Sequence, residues 1–100
     1  MARVKSKVEV MPFDAAAFLD SDDAIAAYLD AAMSEHDTDV FLRALSNVVR
    51  AKGVSVIAER AGVGRESLYK TLAPGSTPRY DTILKLLDAL GVRLRADVAV

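Results

Sequence analysis

Apolar residues follow two rhythms along this chain. Between Ile25 and Leu90 they recur at helical spacing, and towards both ends they alternate. Ile25, Tyr28, Leu29 and Ala32 form a first helical stripe, and Val40, Phe41, Leu45, Val48 and Val49 a second. Ile57, Ala61, Val63, Leu68 and Leu72 mark two shorter amphipathic segments, and Ile83, Leu84, Leu87 and Leu90 a last helix. Val4, Val8 and Val10 alternate with polar residues, which predicts a short strand over 4–11, ended by Pro12. Val92, Leu94, Ala96, Val98 and Val100 lie opposite Arg93, Arg95 and Asp97, which predicts a strand over 92–100. A lone strand is unstable, so the two ends are expected to pair, within one chain or between two copies.

The polar punctuation places the element ends. Asp14 is an N-cap for a brief helix, Ser21 caps the next, and Asp22 and Asp23 complement its dipole. Asp37 caps the third helix and Gly53 stops it. Ser55 is expected to cap the segment that follows, Gly64 precedes the next, and Gly91 closes the last. Residues 74–78, Pro-Gly-Ser-Thr-Pro, are a loop by composition. The expectation is one mainly α domain over 1–100. Its parts are an N-terminal strand and acidic helices (1–36), a helical core (37–91) and a C-terminal strand (92–100).

The most informative stretch is 54–73, VSVIAERAGVGRESLYKTLA. Ala58 is small where two helices must cross closely, and Gly62 can take the positive φ that ends the first of them. Arg65, Glu66, Tyr69 and Lys70 fall on the outward side of the second. This spacing reads as a helix-turn-helix, with the second segment as recognition helix.

Charge sharpens the picture. The 100 residues carry a formal net charge of −1, an unpromising total for a nucleic-acid binder. Its distribution is uneven. Residues 14–42 hold eight acids and no Lys or Arg, and residues 43–79 hold seven basic residues against two acids. The positive block coincides with the helix-turn-helix segment, and a local patch is enough to meet phosphate. There is no cysteine, hence no disulfide scaffold and no thiolate metal site. No apolar run reaches membrane-spanning length and no secretion signal is seen, so a cytoplasmic location is expected.

With Ile57-Ala58, Gly62-Val63, Arg65 and Leu68 in place, the chain resembles the lambda-repressor-like helix-turn-helix class. Phe13-Asp14, the Ile25-to-Leu29 stripe, Phe41-to-Leu45, Ala51-Lys52-Gly53, Gly64-to-Leu72, Thr77-Pro78 and the Ile83-to-Gly91 helix extend the likeness. Together they resemble the probable addiction module antidote proteins, HigA-like antitoxins, over roughly residues 13–92. The resemblance implies a lambda-repressor-like helix-turn-helix bundle. It also implies an antitoxin that represses its own operon and neutralises a RelE/ParE-like toxin encoded beside it. One departure stands out. The position before the recognition helix is usually Ser in this class and here is Gly64. A glycine cap costs only a few tenths of a kcal/mol, but the hydroxyl that could touch a phosphate is missing.

The candidate DNA-binding residues are Ser55, Gly64, Arg65, Glu66, Ser67, Tyr69, Lys70, Thr77 and Arg79. Arg65 and Lys70 can reach guanine edges or phosphates, and Glu66 can accept from a cytosine amino group or orient Arg65. Tyr69 has two readings, a core ring or a phosphate donor. Ser67 either permits close approach to DNA or is merely exposed. Ser55 is read mainly as a cap, with a phosphate contact as its second role. Thr77 and Arg79 either clamp the backbone or, for Thr77, cap the last helix. A single short recognition helix reads few base pairs, so a homodimer on a palindromic double-stranded DNA operator is expected. His36, among Glu35, Asp37 and Asp39, is read as a surface histidine between helices. Asp20, Asp22 and Asp23 lack the glycine and glutamate of a calcium loop, and Gly62 and Gly64 do not build a phosphate loop. No nucleophile, base and orienting group assemble, so no enzymatic activity and no cofactor are expected. The competing class is a stand-alone regulator or an interaction module without a toxin partner, its acidic segment binding a basic protein.

Overall fold

The computed structural model describes residues 19–99. Among them the chain forms helices α1 (Asp22–Met33), α2 (Thr38–Lys52), α3 (Val54–Ala61), α4 (Arg65–Thr71) and α5 (Tyr80–Leu90). The expected strand over 4–11 and the helix begun at Asp14 lie outside the described residues.

Short polar side chains set the starts of α1 and α2. The Ser21 hydroxyl accepts the Ala24 amide at 3.1 Å, and Asp37 Oδ1 accepts those of Asp39 at 2.9 Å and Val40 at 3.4 Å. Each satisfies orphan amides of a first turn. At Ser55 the expectation fails. The residue that caps α3 is Gly53, which also ends α2, and Ser55 stands inside the first turn. Gly53 turns the chain in a single residue at φ 106°, its amide bonded to Val49 and its carbonyl to the Ile57 amide. That double role leaves no room for a separate cap.

The turn between α3 and α4 is three residues, Gly62, Val63 and Gly64. Gly62 sits in the left-handed region at φ 73°. Its amide bonds the Glu59 carbonyl and that of Val63 the Ala58 carbonyl, at 3.2 and 3.0 Å. This paired arrangement satisfies the last carbonyls of α3 and reverses the chain tightly. The end of α5 repeats it, with Val92 bonded to Leu87 at 2.9 Å.

One core joins all five helices. α1 lies along α2, α3 lies against α5, and α3 also touches α2 and α4. Ile25, Leu29, Leu45, Val48, Ile57, Leu68, Leu86 and Leu87 are fully or almost fully buried. At roughly 1.5–3 kcal/mol for each buried aliphatic side chain, these hold the bundle. The α1 stripe, Leu45, Val48 and Val49 of α2, and Leu87 and Leu90 of α5 are buried or half-buried as expected, and the buried faces of α2 and α5 are wider than the expected stripes. Val40 and Phe41 are half-buried while Leu42 and Ala44 are buried, and Leu86 is buried while Leu84 is partly exposed.

The C-terminal segment also departs from expectation. Residues 92–99 form no strand among the described residues. Val92 and Leu94 pack on the core, but Ala96 is exposed and Val98 is 91% exposed. The alternation is present in the sequence, yet among the described residues the backbone meets no second strand there; the expected partner, 4–11, lies outside them.

Candidate nucleic-acid interface

α4 is short, and its placement depends on one side chain. Leu68 is buried to 1% exposure and anchors α4 to the core that holds Ile57 and Ala58 of α3. Leu72 and Val63 pack partly against the same cluster. With that edge fixed inward, Arg65, Glu66, Ser67, Tyr69 and Lys70 are all exposed. Gly64 caps the helix in extended conformation with no side-chain bond.

Tyr69 is not a core ring, being 51% exposed. Its hydroxyl accepts Arg65 Nη2 at 3.2 Å, and the Arg65 guanidinium carbon stands 5.9 Å from the ring centroid. The pair is one helical turn apart, where side chains meet, and the geometry is that of a cation–π contact. Arg65 is therefore oriented by Tyr69; no bond joins it to Glu66 among the described residues. The Ser67 carbonyl accepts the Thr71 hydroxyl at 2.9 Å, and the Ser67 side chain faces solvent.

The remaining candidates lie at the flanks. Ser55 is exposed in the first turn of α3. Thr77 is exposed in the loop before α5 and does not cap that helix; Arg79 stands at the cap position, with no side-chain cap bond. Arg79 instead reaches Asp81, Nε to Oδ1 at 3.2 Å. Both side chains are more than half exposed, so this ion pair is worth at most about 1 kcal/mol and can be exchanged for another anion.

The structure sorts the positive block in a way the sequence does not. Lys52 pairs with Asp22 at 3.3 Å and Arg79 with Asp81. Arg60 donates to the Ala89 carbonyl at 3.4 Å and joins α3 to the end of α5. Arg43, Arg50, Arg65 and Lys70 have no carboxylate within ion-pair distance among the described residues. Arg43 and Arg50 are not among the sequence-predicted site residues, because they stand on α2, outside α4 and its flanks. Their spacing of seven residues on one helix was the available signal.

His36 lies exposed in the turn between α1 and α2, in the left-handed region at φ 56°. Among the described residues no group of three or more His, Asp or Glu side chains is placed to hold a metal ion. No helix among them is long and apolar enough to cross a membrane.

Among the described residues, five helices with a tight, glycine-closed turn before an exposed, partly basic helix define a small helical domain with a solvent-facing polar edge. Residues 9–98 match the family described as probable addiction module antidote protein. The chain belongs to that family, and membership implies a toxin partner of some kind. It is also 34% identical, over 87 residues, to a protein of Haemophilus influenzae described as uncharacterized. That match covers 87% of this chain and 90% of the relative. No solved structure matches the chain.

Proposed function

We propose that this chain is a DNA-binding antitoxin that represses its own operon, with α3, the Gly62 turn and α4 as a helix-turn-helix. In this reading α4 lies in the major groove of a double-stranded operator. Arg65, held against Tyr69, and Lys70 meet guanine edges or phosphates, and Glu66 accepts from a cytosine amino group. Ser55, Thr77 and Arg79 touch the backbone at the flanks, Gly64 lets α4 begin close to it, and Ser67 allows near approach. The protein acts as a homodimer on a palindrome, in the cytoplasm, without enzymatic activity or cofactor. Its partner is a RelE/ParE-like toxin.

The observation that carries the reading is the asymmetry of α4. Leu68 is buried, the five polar or amphipathic residues around it are exposed, and its two cations have no carboxylate partner among the described residues. A helix whose task was only to close the core would bury a wider face. The family supports the antitoxin role.

The test is binding of the full chain to a duplex taken from immediately upstream of its own reading frame. A scrambled duplex of equal length serves as control, and salt concentration is fixed. Preference for the upstream duplex by two orders of magnitude or more is the expected result. Equal affinity for both would reject operator recognition, and co-purification with the adjacent gene product tests the toxin half separately.

A further inference from the structure

The outer face of α2 presents Arg43, Ser46, Asn47 and Arg50. They are spaced i, i+3, i+4 and i+7, so they share one stripe of the helix. This stripe forms one wall of a groove of about 310 Å³, and Leu72 and Pro74, just beyond α4, line the other.

Arg50 is held in place. Nη1 donates to Ser46 Oγ at 3.0 Å and Nη2 to Asn47 Oδ1, while Asn47 Nδ2 donates to the Tyr28 hydroxyl of α1 at 2.9 Å. Every acceptor in this chain of bonds is neutral, so the guanidinium is oriented without losing its charge. Arg43 has no carboxylate within ion-pair distance among the described residues. The one acid on the groove, Asp39, has Oδ1 engaged by the Gly75 amide at 3.0 Å.

The groove is continuous with the α4 surface. Ser46, Arg50 and Leu72 also line an adjoining small cavity together with Tyr69, and Tyr69 carries Arg65 on its hydroxyl. A line of cations therefore runs from Arg43 through Arg50 to the Tyr69–Arg65 pair. Arg43 and Arg50 are separated by two helical turns, about 10.5 Å along the axis. That is too far for one phosphate and suits two.

We propose that Arg43 and Arg50 grip two backbone phosphates of the duplex beside the groove that α4 enters. The proposal rests on the DNA-binding reading above and adds the surface that sets the protein's register. Guanidinium groups suit the task because their planar fork meets phosphate oxygens in pairs. Contacts of this kind position a protein and carry no sequence information.

The experiment measures affinity of the full chain for the upstream and scrambled duplexes between about 50 and 200 mM salt. It compares the natural protein with Arg43→Gln/Arg50→Gln, Arg43→Lys/Arg50→Lys and Arg65→Ala, each checked for an unchanged melting transition. The double Gln variant is expected to weaken both duplexes by a similar factor, on the order of tenfold or more. It should lower the slope of log affinity against log salt by about two, leaving the preference between duplexes intact. The double Lys variant keeps both charges and should retain the slope. An unchanged slope in a folded double Gln variant overturns the groove assignment, as does loss of preference with the slope retained. If that variant keeps its DNA affinity but no longer captures the adjacent gene product, the groove belongs to the protein partner and the assignment also falls. Failure of the natural protein to bind either duplex defeats the DNA reading itself. Binding that Arg65→Ala weakens and the double Gln variant does not leaves that reading standing without the groove.

Discussion

The Gly75 amide donates to Asp39 Oδ1 at 3.0 Å, across 36 residues of chain. This bond fastens the loop after α4 to the first turn of α2. Asp39 thus has two roles, complementing the α2 dipole and holding the loop that carries Thr77 and Arg79. Asp39→Ala removes both and should cost about 1–2 kcal/mol of stability. Asp39→Asn keeps an acceptor and should cost less. The Gly75 amide should exchange with deuterium markedly faster in Asp39→Ala, and equal protection in both proteins would show that the loop is held by other means.

Ala58 and Leu68 occupy the same buried cluster, on the two helices either side of the Gly62 turn. Ala58 is 3% exposed, so a larger side chain has nowhere to go. Ala58→Leu should overpack the crossing by about 1–3 kcal/mol. Gly62→Ala separates packing from backbone strain. A Cβ there would meet nothing within 4 Å, so its cost, about 1 kcal/mol, comes from φ 73° alone. Urea titrations of the two variants check this, and an unchanged midpoint in Ala58→Leu would mean that the crossing is looser than its burial implies.

These two sites also show how much of the molecule was legible in the sequence. Ser21, Asp37, Gly53, Gly62 and Gly91 mark helix ends through bonds to residues a few positions away, so local chemistry sufficed. Ser55 misled because two helices share Gly53, and a one-residue junction leaves no trace in capping preference. Leu42 and Leu86 fall outside the stripes read from the sequence because their burial comes from segments distant in the chain: Leu42 lines a groove with Leu72 and Pro74, and Leu86 stands on the helix that packs against α3. The outward placement of Arg65, Glu66, Tyr69 and Lys70 followed from the spacing around Leu68. Which cations lie close to acids did not. Lys52 meets Asp22 from 30 positions away, and Arg50 reaches the α4 surface through contacts between helices that no local pattern encodes.

Arg65 is the residue on which operator preference should depend most. Arg65→Ala is expected to lose about 1–3 kcal/mol on the upstream duplex and little on a scrambled one. Tyr69→Phe keeps the ring beneath the guanidinium but removes the hydroxyl that accepts Nη2. Its loss should be smaller and in the same direction. Titration of both variants against both duplexes measures this, and equal losses on the two duplexes would make Arg65 a phosphate contact.

The final prediction concerns the acidic N-terminal half. Asp22, Asp23, Asp37 and Asp39 occupy caps or first turns, where negative charge stabilises a helix, and Asp22 also meets Lys52. Asp20, Asp30 and Glu35 are exposed and have neither a first-turn role nor an ion pair among the described residues. A solvated face would need no more explanation than solubility. A basic toxin would instead find in them a complementary surface, and such charges act chiefly on the association rate. Replacing the three with Asn, Asn and Gln should therefore slow capture of the adjacent gene product, by about tenfold at low salt, while changing its dissociation rate little. The effect should shrink as salt rises, because exposed charges are screened beyond about 10 Å at 0.1 M. Stopped-flow association at two salt concentrations reads this directly. An association rate that is unchanged at low salt would assign these carboxylates to solubility and place the toxin contact elsewhere on the chain.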